Sequence, residues 1–253
     1  MEEFEADRDH VIQKAFHENI AAILCPAEIT EADSLRITLD LINKYPNIIA
    51  SAGVHPHSAR DFSSDCIKKI KELARAKKIR AVGEIGLDFH YDFSPHTKQI
   101  QVFRMQLNAA QQLDLPVVVH SRMAGDAIAK AVEKEHFTRG GVLHCFTEEW
   151  EFASQMMDHG FFISFSGILT FSGAHALRET AKKIPLKRLL TETDSPYLVP
   201  EPFRGRIPRN EPLYVREVAK ILADLKGISL DELAAVTTEN FESLFLFEIT
   251  KAG

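Results

Sequence analysis

Short apolar and β-branched runs alternate along this chain with longer amphipathic stretches. Val117–Val119 is a continuous apolar run, typical of a strand that is covered on both faces of a parallel sheet. In the stretch that contains Ile67, Ile70 and Leu73, apolar residues recur at helical spacing. The alternation therefore predicts parallel strands joined by right-handed helical crossovers. The predicted strands are Ile20–Pro26, Ile48–His55, Ile79–Leu87, Pro116–His120, Gly141–Phe146, Phe161–Gly167 and Leu189–Asp194.

Helices are predicted before, between and after these strands. They span Glu5–Glu18, Cys66–Ala76, His96–Leu113, Ala124–Glu135, Glu149–His159 and Ala174–Lys183, with two more inside Glu211–Phe247. No internal repeat or linker interrupts the pattern, so we expect one domain over residues 1–253. A closed barrel of alternating strands and helices has eight strands. Because seven are visible here, either the sheet is open or a first strand is missing, and two strand edges would lack a partner.

Composition narrows the class of protein. The net charge of −6, from 36 acidic and 30 basic residues, argues against a broad electrostatic grip on nucleic acid but allows a local basic patch. The cysteines Cys25, Cys66 and Cys145 form no CxxC motif, which fits a reducing compartment. Neither a signal peptide nor an apolar run of about 20 residues is present, so a cytoplasmic protein without membrane contact is predicted.

Five predicted strands end in polar residues that carry chemistry. These ends are His55-Pro56-His57, Gly83–Asp88, His120-Ser121-Arg122, His144-Cys145-Phe146 and Asp194-Ser195-Pro196. In a barrel of parallel strands, the carboxyl ends converge on one face, where active sites lie. Residues far apart in the sequence are therefore expected to meet in one small volume.

The mixture of carboxylates and imidazoles at these ends predicts a metal site. Glu84, His120, His144 and Asp194 supply the donors that suit Zn²⁺, Mn²⁺ or Fe, whereas Mg²⁺ needs more oxygen ligands. A divalent ion there would make hydroxide available near neutral pH, and Asp194 could orient or deprotonate the water. Simpler roles remain open, because Asp194 could form a turn before Pro196 and Glu84 a salt bridge.

Basic and aromatic residues near the same ends suggest substrate contacts. Arg122, Arg206 and Arg209 are candidates for phosphate binding, although an exposed loop with scattered charges explains the last two equally well. His57 is equally consistent with a site or a surface role. The aromatic residues at these ends could stack on bases, but packing within loop cores is favoured; they are Phe89, Tyr91, Phe93 and Phe146.

Taken in order, these motifs resemble those of the TatD-type metal-dependent deoxyribonucleases, within the amidohydrolase-like metal-dependent hydrolases. The matching segments are Gly53–His57, Gly83–Asp88, Val119–Arg122, Leu143–Phe146, Glu192–Leu198, Arg209–Pro212 and Thr238–Asn240. Each motif alone is modest, but the ordered set covers nearly the whole chain. The resemblance implies a TIM-like α/β barrel that hydrolyses phosphodiester bonds with one or two divalent ions, Mg²⁺, Mn²⁺ or Zn²⁺.

The resemblance also implies roles for the residues of this chain that lie at matching motif positions. Glu84 would be shared between two metals, and His120 and His144 would complete the shell of one of them. Asp194 would bind the other metal or the attacking water. His55 matches a site residue of the family and would contact a substrate phosphate.

One part of the family pattern has no counterpart in this chain. Most members begin with a strand ending in His-x-His, which supplies two ligands to one metal, whereas Glu2–Arg8 resembles the segment just after that motif. Three explanations stay open: a start upstream of Met1, a branch that has replaced the histidines, and a divergent, inactive protein; we expect the first. As written, the second metal would keep only Glu84 and Asp194.

These observations predict a divalent-metal-dependent hydrolase of phosphodiester bonds. We expect a deoxyribonuclease that acts as an exonuclease on DNA ends or single strands, with DNA as a transient partner. The oligomeric state stays open, with a monomer favoured. The alternatives are a barrel that has lost catalysis and serves as a binding or scaffold module, and a related amidohydrolase acting on C–N or ester bonds.

Overall fold

A computed structural model describes residues 2–250 of the protein. Within that range, the strands form one parallel sheet in which each strand lies beside its neighbour in sequence. In chain order they are β1 Ile23–Glu28, β2 Ile48–Gly53, β3 Ala81–Asp88, β4 Val117–Arg122, β5 Gly141–His144, β6 Phe161–Phe165 and β7 Leu189–Thr191. The prediction of seven parallel strands in a TIM-like α/β fold is confirmed.

Helices precede the first strand, connect the strands and follow the last one. They are α1 Arg8–His17, α2 Ala32–Lys44, α3 Ser64–Arg75, α4 His96–Leu113, α5 Gly125–Lys134, α6 Trp150–Asp158, α7 His175–Lys183, α8 Val215–Lys226 and α9 Leu230–Phe245. Helix α2 is absent from the sequence prediction, although Leu35, Leu39 and Ile42 have helical spacing and pack against the core. None of the described helices combines the length and the hydropathy needed to cross a membrane.

Several predicted strands are wrong at their carboxyl ends. The strand predicted through Phe146 stops at His144, because Cys145 adopts φ 46° and leaves the extended region. Likewise, β7 stops at Thr191 rather than continuing to Asp194, which adopts φ 60°. Both residues therefore end the extended backbone at the carboxyl edge of the sheet.

Side chains alternate between the two faces of the sheet with period two. On the inner face, Val118, Val142 and Leu190 form an apolar layer that Leu244 and Phe245 of α9 close from below. Side chains two positions farther along β4 and β5, and just past β7, are His120, His144 and Glu192. The interior is therefore apolar at one end and polar at the carboxyl ends of the strands.

The sheet curls into a half-barrel that stays open on one side. Among the described residues, β1 pairs only with β2, and β7 pairs only with β6. A groove of about 2430 Å³ follows this opening, and residues of both edge strands line it. Glu84 and Asp194 line its polar end, while Phe241 lines its apolar part. The predicted pair of unpartnered edges is thus present, and the groove leads directly to the polar strand ends.

Candidate metal centre

Glu84 lies in an irregular part of β3. Val82 is paired with Val117, but Ile85 is paired with Val119, so β3 has one residue more than β4 in this interval. A bulge of this kind bends the strand and re-aims a side chain, and such bulges are common beside active sites. The extra residue explains how the Glu84 carboxylate comes to face the histidines of the neighbouring strands.

Gly86 permits the close approach of β3 and β4 next to this bulge. It adopts φ 140°, a backbone conformation that residues with a Cβ atom rarely adopt. A Cβ at this position would lie 2.0 Å from the carbonyl oxygen of His120. Glycine is therefore required for His120 to sit beside Glu84.

The Glu84 carboxylate is the centre of a cluster of histidines. Its Oε1 atom lies 3.0 Å from Nδ1 of His120, 3.4 Å from Nε2 of His55 and 3.8 Å from Nε2 of His144. Asp194 joins the cluster through Oδ1, which lies 3.6 Å from Nε2 of His144. The structure thus brings together the four residues predicted as metal ligands, and places His55 beside them.

Burial and charge act in opposite directions on the ionisation of this cluster. Burial alone would raise the pKa of the Glu84 carboxyl, but His144, His120 and His55 outweigh it and hold that pKa well below its usual range. Burial also disfavours the charged form of His120, yet Asp88 and Glu84 raise its pKa to about 9. The charges of Glu192 and Glu84 likewise raise the pKa of His144 well above its usual range, despite burial.

Asp88 extends the cluster on the side away from Glu84. Its Oδ2 atom lies 2.8 Å from Nε2 of His57 and 3.2 Å from Nε2 of His120, and Oδ1 accepts the backbone N–H groups of His90 and Tyr91. These hydrogen bonds hold the pKa of the buried Asp88 carboxyl below its usual range, although burial opposes this. His57, for which a surface role was an equal alternative, therefore belongs to the site.

Two further carboxylates contact residues of the site but were not predicted as site residues from the sequence. Oε1 of Glu192 lies 2.9 Å from Nδ1 of His144, and Oε2 of Glu28 accepts the backbone N–H of His55 at 2.9 Å. Glu192 shares the inward parity of Leu190, a signal that was available once the strand had been identified. Glu28 offered no such signal, because it sits at the end of β1 without a motif around it.

Two groups of donors are compact enough to hold a divalent cation. The possible ligand atoms of His55, Glu84 and His120 all lie within 4.8 Å of one another, and the same holds for His57, Asp88 and His120. Ligands at about 2.1 Å from a tetrahedral Zn²⁺ are separated by about 3.4 Å, close to the distances around Glu84. Imidazole and carboxylate without thiolate suit Zn²⁺ or Mn²⁺, and carboxylates also suit Mg²⁺.

The predicted arginines occupy different places. Arg122, at the end of β4, lines the groove beside the histidines. Arg209 contacts Asp7 at 2.5 Å and Glu211 at 3.3 Å, and Arg206 is exposed on the preceding loop. Neither of the latter two lines the groove, so their predicted contact with phosphate stays a prediction.

The cysteine and the aromatic residues near the strand ends differ in how far their side chains are exposed. Burial raises the pKa of the Cys145 thiol to about 12, which agrees with a packing role rather than a nucleophilic one. Phe146 is buried, and Phe89 stacks on His96, so both pack within the protein as expected. Tyr91 and Phe93 are instead exposed, so the favoured prediction that they pack within loop cores is wrong for these two residues.

Comparison with known proteins agrees with this geometry. The family model described as TatD related DNase matches residues 1–246. The chain is 40% identical over 247 residues to the metal-dependent hydrolase YabD of Bacillus subtilis strain 168, covering 96% of this chain and 94% of the relative. It is 35% identical over 248 residues to the 3'-5' ssDNA/RNA exonuclease TatD of Erwinia amylovora, covering 96% and 95%.

A solved structure supports the same assignment. The crystal structure of YjjV, a TatD homologue from Escherichia coli K12, superimposes with a TM-score of 0.89 at 30% identity, covering 97% of this chain and 94% of that one. The similarity therefore extends over the half-barrel and over the sequence segments that build the cluster. The chain belongs to the TatD-related family of metal-dependent hydrolases.

Proposed function

We propose that the protein is a divalent-metal-dependent deoxyribonuclease that hydrolyses phosphodiester bonds at DNA ends or in single strands. The observation that carries this proposal is the meeting of His55, Glu84, His120, His144 and Asp194 at one mouth of the half-barrel. The exonuclease name of the Erwinia relative supports the choice of nucleic acid as substrate. Arg122 beside the cluster supplies a donor pair that matches a phosphate.

Glu84, His120 and His144 would hold one cation, and Asp194 would complete a second position with Glu84. When bound there, a divalent ion would polarise the phosphate and lower the pKa of water. The candidates are Mg²⁺, Mn²⁺ and Zn²⁺. His55 lies within reach of Glu84, where it can contact either the ion or a substrate oxygen.

The residues of the chain then perform orientation and proton transfer. Asp194 is the most exposed member of the cluster, at 31% of its side chain, so water reaches its carboxylate. In the reaction, water attacks phosphorus, its proton passes to Asp194, and the bond from phosphorus to the leaving sugar oxygen breaks. The proton then passes to the leaving oxygen. Arg122 and His55 would hold the phosphate oxygens during this displacement.

Substitution of the two acids tests the proposal. We expect Glu84→Ala and Asp194→Ala each to lower the cleavage of single-stranded DNA with Mg²⁺ or Mn²⁺ by about 10²- to 10⁴-fold. Glu72→Ala is the matched control, because this carboxylate is exposed on α3, with 67% of its side chain accessible. If both site variants cleave at the wild-type rate, the deoxyribonuclease assignment is wrong.

Metal analysis separates this proposal from a barrel without catalysis. A scaffold would hold no stoichiometric divalent ion after purification and would show no activity sensitive to EDTA. A nuclease would bind the ion, lose activity in EDTA and regain it when Mg²⁺ or Mn²⁺ is restored. The comparison needs only the purified protein and a labelled oligonucleotide.

A further inference from the structure

Large apolar side chains are exposed around the mouth of the site. The exposed fractions are 40% for Tyr91, 50% for Phe93, 69% for Met123 and 57% for Tyr197. All four follow the carboxyl ends of β3, β4 or β7, the same ends that carry the histidine and carboxylate cluster. Exposed apolar groups gathered beside a polar site mark a surface that binds a partner or ligand.

The loop that carries Tyr91 and Phe93 is held by buried polar groups and not by its aromatic rings. The Asp88 carboxylate accepts the N–H of Tyr91, and the Ser94 hydroxyl donates to the carbonyl oxygen of His57 at 2.8 Å. The buried Gln99 amide donates to the carbonyl oxygens of both Asp88 and Ser94, each at 2.9 Å. The backbone that carries the rings is therefore fixed by hydrogen bonds of buried polar groups.

The two rings form a continuous aromatic surface with the site. Their centroids lie 5.3 Å apart, and the ring of Phe93 lies 4.7 Å from that of His57. The guanidinium of Arg122 lies 4.7 Å from the ring centroid of Tyr91, a cation–π geometry. A phosphate held by Arg122 would thus have an aromatic face immediately beside it.

We propose that Tyr91 and Phe93 are a stacking platform for a nucleobase of the single strand whose phosphate lies at the metal centre. This inference rests on the proposed function and adds a substrate subsite to it. Every base has a π-face, so stacking binds a strand without selecting its sequence. A chain with a net charge of −6 has little general attraction for a polyanion, and stacking supplies affinity that charge does not.

The kinetic test uses two substrates that differ only in their bases. One is an ordinary single-stranded oligonucleotide, and the other carries abasic residues at the cleaved end. We expect the double variant Tyr91→Ala/Phe93→Ala to raise KM for the ordinary strand about tenfold, because stacking on one aromatic residue contributes about that factor or more. We expect kcat to change less than KM, and KM for the abasic strand to rise less than KM for the ordinary strand, because loss of the rings also removes their contacts with Arg122 and His57 for both substrates.

Conservative and distant substitutions separate stacking from loop structure. Tyr91→Phe keeps the ring and should retain the wild-type KM. Met105→Ala removes an equally exposed apolar side chain from α4, outside the mouth, and should change neither constant. Equal KM values for the double variant and the wild type on the ordinary strand would overturn the platform.

A binding measurement keeps the two proposals distinguishable. The probe is an oligonucleotide with hydrolysis-resistant phosphorothioate linkages and 2-aminopurine at its end, whose fluorescence falls when the base stacks. We expect the wild type and Met105→Ala to quench this fluorescence, and the double variant not to. Quenching without any DNA cleavage would retain the platform and reject the nuclease. Cleavage with quenching unchanged in the double variant would retain the nuclease and reject the platform.

Discussion

Both oxygens of the Asp88 carboxylate are hydrogen-bonded, one to the site and one to the loop that follows β3. One oxygen accepts two loop amides, and the other contacts the Nε2 atoms of His57 and His120. Because Nδ1 of His120 faces Glu84, the contact at Nε2 fixes the orientation of the ring. Carboxylates that hold a ligating histidine in this way tune its affinity for metal. Asp88 is therefore a positioning residue of the metal centre.

We expect Asp88→Asn to weaken the binding of Mn²⁺ or Zn²⁺ by about 10- to 100-fold, because the amide cannot accept from both imidazoles. Titration against a competing chelator at constant pH measures the change. Asp92→Asn is the matched control, since Asp92 lies on the same loop with 97% of its side chain exposed. A dissociation constant equal to that of the wild type would show that Asp88 serves the loop alone.

At the scale of elements, the contact between β3 and β4 decides whether Glu84 and His120 meet. The extra residue in β3 aims Glu84, and Gly86 lets the backbone of β4 approach. A side chain at Gly86 would have to occupy the place of the His120 carbonyl oxygen. The precision of the site thus depends on a residue that carries no functional group.

We expect Gly86→Ala to lower the free energy of unfolding by about 3 kcal/mol, through the unfavourable φ and the clash with β4. Metal affinity should fall with it, because His120 must move. Gly173→Ala is the control, since its Cβ would meet no atom within 4 Å. Urea denaturation of both variants gives the comparison, and equal stabilities would contradict the account of this contact.

The sequence predicts the elements well and the turns between them poorly. The apolar runs of β4 and β5 are visible in the sequence, so His120 and His144 were predicted to lie at strand ends that converge on one face. The positive φ angles of Cys145 and Asp194 leave no such pattern, and the strand ends were misplaced there. Similarly, the contact between His57 and Asp88 joins the segment after β2 to the end of β3, 31 positions farther along the chain, which local propensity does not encode.

At the scale of the whole molecule, the candidate ligands join distant parts of an open sheet. His55 follows β2, Glu84 and His120 lie in β3 and β4, His144 ends β5, and Asp194 follows β7. Between β1 and β7 the described residues form no backbone ladder, so the curl of the sheet is held by helices, the core and this cluster. Cations held by Glu84, His120, His144 and Asp194 would cross-link β3, β4, β5 and β7.

A cross-link of this kind makes the thermal stability of the protein depend on metal. Because the ion binds the folded chain and not the unfolded one, a concentration of 100 times Kd adds about 2.7 kcal/mol to the free energy of unfolding. For a chain of this size, each kcal/mol raises Tm by about 2–4 °C. We therefore expect Mn²⁺ or Zn²⁺ at that concentration to raise Tm by about 5–10 °C over the value in EDTA, measured by calorimetry.

The Glu84→Ala variant decides whether this stabilisation arises at the cluster. Glu84 Oε1 is the atom that approaches three of the histidines, so its loss should remove most of the metal-dependent shift in Tm. Glu72→Ala on α3 should retain the full shift, because its carboxylate lies on an exposed helix face. A shift of equal size in all three proteins would mean that the ion stabilises the fold from some other surface, and the strand ends would then not be its site.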